Sequence, residues 1–202
     1  MIPMWLVWVA LLVLAVAYVM FQKPAMGHVW SSDGAKMYYV KNQPGKQDIA
    51  DHLQKLERMM ASFLRAAETS LPNDARLRRI RERWNGELAE VENPSENVAY
   101  SLGKSVIHIC VREETGELAS MNTCFFVLAH ELAHVINVEW GHTDTFWKHM
   151  RFLLELGEKT GFYKYIDHDQ EPQMLCGRVL GSSPMSCVKQ KRCDSALGMV
   201  QV

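Results

Sequence analysis

The chain has 202 residues, 48% of them hydrophobic and 22% charged, which suits one globular domain with a proper core. A formal net charge of -1 excludes a general nucleic-acid binder, because neutralising phosphates needs a clear basic surplus. Five scattered cysteines, an odd number, exclude a disulfide framework and fit a reducing compartment.

Residues 1–22 carry no charged side chain. A helix from Ile2 to Phe21 would be about 30 Å long, matching the hydrocarbon core of a bilayer. Trp5, Trp8, Tyr18 and Phe21 lie toward its ends, where amphipathic aromatics favour the interface. Ala15-Val16-Ala17 would also serve as a signal-peptide cleavage site, but no basic region precedes the long apolar run. The expectation is therefore an uncleaved transmembrane anchor at 1–22. Lys23, Lys36, Lys41 and Lys46 follow it and no Lys or Arg precedes it. The positive-inside bias then predicts a single-pass membrane protein with its C-terminal domain cytoplasmic.

Residues 23–47 hold Pro24, Gly27, Gly34, Pro44 and Gly45 and read as a linker, with a short strand at Met37–Val40. From Asp48 to about Thr69, Ile49, Leu53, Leu56, Met60, Phe63, Leu64 and Ala67 recur at helical spacing. Pro72 suits the start of a second helix, with Leu77, Ile80, Trp84, Leu88 and Val91 on its buried side. Arg76, Arg78, Arg79, Arg81 and Arg83 share its other faces with Glu82, Glu87 and Glu90, which reads as a solvated charged surface. Asn93-Pro94-Ser95 ends it. Residues 100–112 alternate apolar and mixed positions and predict a β-strand. A third helix, from about Asn122 to Val138, is apolar on most sides and should run through the core. Thr143 is a suitable N-cap for a fourth helix, whose buried stripe is Phe146, Trp147, Met150, Leu153 and Leu154 and which Gly161 ends. The metal-binding candidate below falls in a domain spanning 48–182, and 183–202 reads as a flexible tail.

The third helix contains His130-Glu131-Leu132-Ala133-His134. Residues i and i+4 share a helix face, so two imidazoles there can converge on one ion. Glu131 lies about 100° around the helix, where it can reach a metal-bound water rather than the metal. Burying two histidines and a glutamate without partners costs several kcal/mol, and a metal removes that cost. A hydrolytic zinc site needs a third protein ligand and one open position. His142 is the best candidate, because Gly141 permits a left-handed turn back toward the metal. Glu139 and then Asp144 are the alternatives. The remaining histidines, His28, His52, His108, His149 and His168, lack a second ligand at helical spacing. Tyr100, Tyr163 and Tyr165 are open candidates for a donor to the tetrahedral oxyanion.

The run HELAHVINVEWGHTDTFWKHM, with HExxH followed by Gly-His, three residues and an aromatic pair, resembles the WLM and SprT-like zincin metallopeptidases. It is also similar to metallopeptidase-like proteins of large DNA viruses and algae. The resemblance covers about residues 98–185, including a strand before the HExxH helix and a later Cys176-Gly177. It implies an α+β zincin-like domain, with helices packed on a small sheet and HExxH on a core helix. It further implies zinc (Zn²⁺) on His130, His134 and His142, Glu131 as catalytic base, and a polypeptide substrate paired along a sheet edge. The expected protein is thus a membrane-anchored zinc metallopeptidase, with residues 2–21 in the bilayer and no clear nucleic-acid partner. The alternative is a non-catalytic, membrane-anchored zinc-binding interaction protein, its site closed by Cys176, Cys187 or Cys193.

Overall fold

The computed structural model describes Met4, Trp5, Trp8, residues 25–113 and residues 115–189. Their order is β1 (Met26–Trp30), β2 (Met37–Lys41), α1 (Lys46–Ser70), α2 (Ala75–Arg83), β3 (Glu87–Glu90), β4 (Ala99–Leu102), β5 (Val106–Ile109), α3 (Met121–Ile136), α4 (Asp144–Thr160), β6 (Gln173–Leu175), β7 (Arg178–Leu180) and α5 (Ser186–Lys189). The class is α+β. The strands form two antiparallel hairpins, β1-β2 and β6-β7, and a mixed sheet ordered β3-β5-β4. In that sheet β3 runs parallel to β5, and β4 runs antiparallel to it.

No helix among the described residues is long and apolar enough to cross a membrane. This corrects the expected transmembrane anchor, and with it the single-pass membrane localisation. Spanning needs about 20 consecutive apolar helical residues. The longest described helix, α1, has 25 residues, but Asp51, Lys55, Glu57 and Arg58 interrupt its apolar stripe. Most of the segment 1–22, including Ala15-Val16-Ala17, lies outside the described residues.

Four further expectations change. The stretch 23–47 is more than a linker: it holds the β1-β2 hairpin, whose Tyr38 and Val40 are buried in the core. Half-buried Glu57 of α1 fastens that hairpin to the sheet, accepting from Tyr38 Oη at 2.7 Å, Lys36 Nζ at 2.8 Å and the Leu88 amide at 2.8 Å. The second helix stops at Arg83, and Leu88 and Val91 belong to the β3 segment instead. Their three- and four-residue spacing imitates a helix, but Gly86 turns the chain at φ 86°. The strand expected over 100–112 is two strands, β4 and β5, reversed at Gly103 and Lys104, both at positive φ. The tail is ordered as far as Lys189, with Met185 buried; residues 190–202 lie outside the described residues.

Other expectations hold. Helix α3 starts with the Ser120 side chain accepting from the Thr123 amide, and it is buried on nearly every side. Helix α4 starts with Thr143 accepting from the Phe146 amide and ends at left-handed Gly161. Arg76 pairs with Asp74, Arg81 with Glu68 and Arg78 with Glu82, as a solvated charged face requires, but Glu87 and Glu90 lie on β3, where Glu90 is buried and accepts from the Lys41 amide. Helix α3 packs against α4, α2, β4 and β5, so the HExxH helix lies between the sheet and the helical layer.

Cys110 and Cys176 form a disulfide, while Cys124 is free and buried. The cysteine count therefore no longer supports a reducing compartment, because disulfides persist where thiols are oxidised. The bond ties the β6-β7 hairpin to the end of β5 across 66 residues of sequence. Closing so long a loop restricts the unfolded chain. Reducing it is expected to lower the unfolding free energy by about 2–4 kcal/mol, read as a shift in urea midpoint with and without reductant.

Candidate metal centre

His130 and His134 project from one face of α3, one turn apart, and His142 arrives from the loop joining α3 to α4. Asn137 ends α3, its amide bonding to the Ala133 carbonyl and its side chain donating to the Glu139 carbonyl at 3.1 Å. Gly141 then turns the backbone at φ 81°, a conformation that disfavours other residues. The turn expected from the sequence is the one that brings His142 back.

The three Nε2 atoms form a nearly equilateral triangle. His130 to His134 is 3.2 Å, and His142 lies 3.1 Å from each. Each Nε2 carries one lone pair or one proton, so three such atoms cannot all satisfy one another by hydrogen bonding. Burial depresses all three imidazole pKa values: His130 falls well below its ordinary range, with His134 and His142 adding to the effect. His134 falls to about 4 through burial, then His142 and Lys104, and His142 falls through burial alone. Neutral rings protonated on Nδ1 would aim three Nε2 lone pairs at one point. Tetrahedral Zn–N bonds of about 2.0–2.1 Å set nitrogens about 3.3 Å apart, close to the observed triangle. The three histidines could hold a metal ion, and their ligand atoms all lie within 4.8 Å of one another. Among the described residues neither Glu139 nor Asp144 joins the group.

Aromatic packing fixes the rings. The Phe146 ring centroid lies 4.8, 4.3 and 4.7 Å from those of His130, His134 and His142. Trp147 stacks on His142 at 5.4 Å. Sequence reasoning assigned these two residues to the core stripe of α4 and missed this role, although their spacing from His142 held the clue.

Lys104 was also missed. From the left-handed turn between β4 and β5 its Nζ donates to the carbonyls of His134 at 2.9 Å and Asn137 at 3.1 Å. It thereby satisfies two acceptors at the open C-terminal end of α3 and favours the negative pole there. Lys104→Met is expected to cost about 1–3 kcal/mol of stability, measured by denaturant unfolding. An unchanged midpoint would show that water replaces the ammonium without loss.

Glu131 is buried, and desolvation pushes its pKa up to about 7. It opens onto a cleft of ≈ 290 Å³ that it shares with the three histidines, residues 96–101 and Arg178. One wall of the cleft is β4, which among the described residues is an edge strand bonded only to β5. Of the three tyrosines considered, only Tyr100 lines this cleft, stacked on His108 at 4.6 Å. Tyr163 is buried elsewhere, and Tyr165 Oη sits 3.4 Å from Ser186 Oγ. Arg178, on β7, donates to the Ser95 carbonyl at 2.7 Å and so ties the β6-β7 hairpin to this wall. Nothing in the local sequence marks it. The other five histidines stand apart from the cluster, His168 for instance facing the Leu180 carbonyl at 3.0 Å.

No protein-family model matches the chain, and no solved structure matches it. An uncharacterized protein of Acanthamoeba polyphaga mimivirus is 27% identical over 183 residues, 85% of this chain and 93% of the relative. An uncharacterized protein of invertebrate iridescent virus 3 is 39% identical over 66 residues, 32% of this chain and 42% of the relative. A third, from invertebrate iridescent virus 6, is 29% identical over 79 residues, 38% of this chain and 44% of the relative.

Proposed function

We propose that the chain is a zinc-dependent metallopeptidase of WLM or SprT-like type. The observation that carries this reading is the convergence of three neutral imidazole lone pairs beside a buried carboxylate, in a cleft walled by an edge strand. His130, His134 and His142 would hold the ion, and a fourth position remains for water, as hydrolytic sites require. Bound zinc would supply Lewis acidity and a more acidic water.

The chain's own groups do the rest. Glu131, with its pKa near 7, takes a proton from the attacking water and returns it to the leaving amine. The free side of β4 offers backbone donors and acceptors on which an extended polypeptide can align its scissile bond. Tyr100 is the tyrosine available on the cleft wall as a donor to the oxyanion.

The competing reading, a non-catalytic zinc-binding interaction protein, needs a fourth protein ligand. Cys176 is already committed to Cys110, and the side chain of Cys187 and all of Cys193 lie outside what is described. The deciding experiment incubates the full chain, loaded with zinc, with an unfolded protein such as reduced casein. Discrete fragments that vanish on chelation and return with zinc are expected. Stoichiometric zinc without any cleavage would favour the interaction protein.

A further inference from the structure

The cleft differs on its two sides. Toward Arg178 its wall is mixed, with Glu96, Asn97 and the guanidinium beside Val98 and Tyr100. On the other side of His134, a groove of ≈ 570 Å³ is lined by Ser101, Lys104, His134, Val138 and Trp140. The two spaces share Ser101 and His134, so they are halves of one cleft that meet at the histidines.

Trp140 is 97% exposed, the most exposed large apolar side chain among the described residues, and Val138 beside it is 76% exposed. Neither contributes to the core. Yet the loop that carries them is held at both ends, by the Asn137 bonds and by the packing of His142 on Phe146 and Trp147. An indole held in water next to a reactive centre gains stability only when something apolar covers it, at about 25 cal/mol per Å².

The direction of β4 says which part of a bound polypeptide would cover it. The strand runs from Ala99, on the Arg178 side, to Leu102, on the Trp140 side. A substrate strand pairing antiparallel, the more stable arrangement, therefore runs from Trp140 toward Arg178. Its residues N-terminal to the scissile bond pass Val138 and Trp140. We propose that this groove is a substrate subsite for a bulky apolar side chain on the N-terminal side of the cleaved bond. The inference rests on the peptidase reading above.

Two measurements test it. In the first, the zinc-loaded full chain digests a mixture of peptides from a denatured protein, and the cut positions are mapped by mass spectrometry. Leu, Met, Phe or Trp should be enriched within two residues N-terminal to the cuts, and Trp140→Ala should remove the enrichment. No enrichment, or enrichment only on the C-terminal side, overturns the proposal while leaving the peptidase reading intact. In the second, zinc-loaded Glu131→Gln is titrated with blocked Gly-Ser decapeptides whose central residue is Leu or Glu. The Leu peptide should bind about tenfold or more tightly, and the added Trp140→Ala substitution should erase the difference. Selective, Trp140-dependent binding without hydrolysis by the parent protein would end the peptidase reading, and with it the subsite's place beside a cleaved bond, leaving an apolar peptide-binding groove at Trp140. Equal binding of the two peptides overturns the subsite. Because Trp140 is exposed, an unchanged melting temperature in Trp140→Ala verifies that the variant is folded.

Discussion

Glu131→Gln is expected to lower peptide hydrolysis by about 10²–10⁴-fold while leaving one metal ion bound per chain. The glutamine keeps the shape of the side chain but cannot take a proton, and the three imidazole nitrogens are untouched. The same substitution has a second, opposite effect on stability. Burial raises the Glu131 pKa from an ordinary 4.5 to about 7. Its stabilising contribution is therefore complete below pH 4.5 and lost as pH rises through 7. Above pH 7 the metal-free fold must hold an ionised carboxylate away from water, at a cost of about 3 kcal/mol. Metal-free Glu131→Gln should accordingly exceed the parent in stability at pH 8 and equal it at pH 4.5, by denaturant unfolding at each pH. With a cation in place the carboxylate is favoured and the gap should shrink. A variant that still cleaves at the parent rate removes Glu131 from the chemistry, and a pH-independent difference would show that its carboxylate is solvated.

Removing metal is the second large effect. At a free zinc concentration 100 times the dissociation constant, binding adds about 2.7 kcal/mol to stability. For a domain of this size that corresponds to a melting temperature about 5–10 °C above that of the chelated protein at pH 7.5. The advantage should fade with acid. The imidazole pKa values are depressed by burial, so the neutral rings stabilise the fold above pH 6.5 and that contribution is lost as pH falls, for His134 through about 4. Protons compete for the same lone pairs as the ion, so zinc release should follow the same window. His130→Ala should abolish the difference between loaded and chelated protein at every pH. Identical melting of loaded and chelated parent protein at pH 7.5 would mean that the histidine triangle holds no ion.

The three clustered histidines were legible because their signals are local. Two histidines four apart on an apolar helix, then a glycine before a third, encode a shared face and a reversal within 13 residues. The cap at Thr143 and the stop at Gly161 are equally local. Where periodicities overlap, the reading failed. Leu88 and Val91 continue the three- and four-residue rhythm of α2 although the helix has already ended at Arg83, and the turn at Gly103-Lys104 is hidden inside an alternating run. The apolar run at 1–22 shows the same limit: hydropathy alone suggested a membrane span that no described helix supports.

From the sequence alone come the pair of histidines one turn apart, the glutamate between them and the helices that carry the core, because each depends on neighbours within a few turns of chain. Only the tertiary structure brings Lys104 to the end of α3, Arg178 to the wall at Ser95 and Cys176 to Cys110, across separations of 30 to 83 residues. Contacts of that span leave no periodic trace in the sequence, since they are selected by how whole elements pack rather than by what lies beside them along the chain.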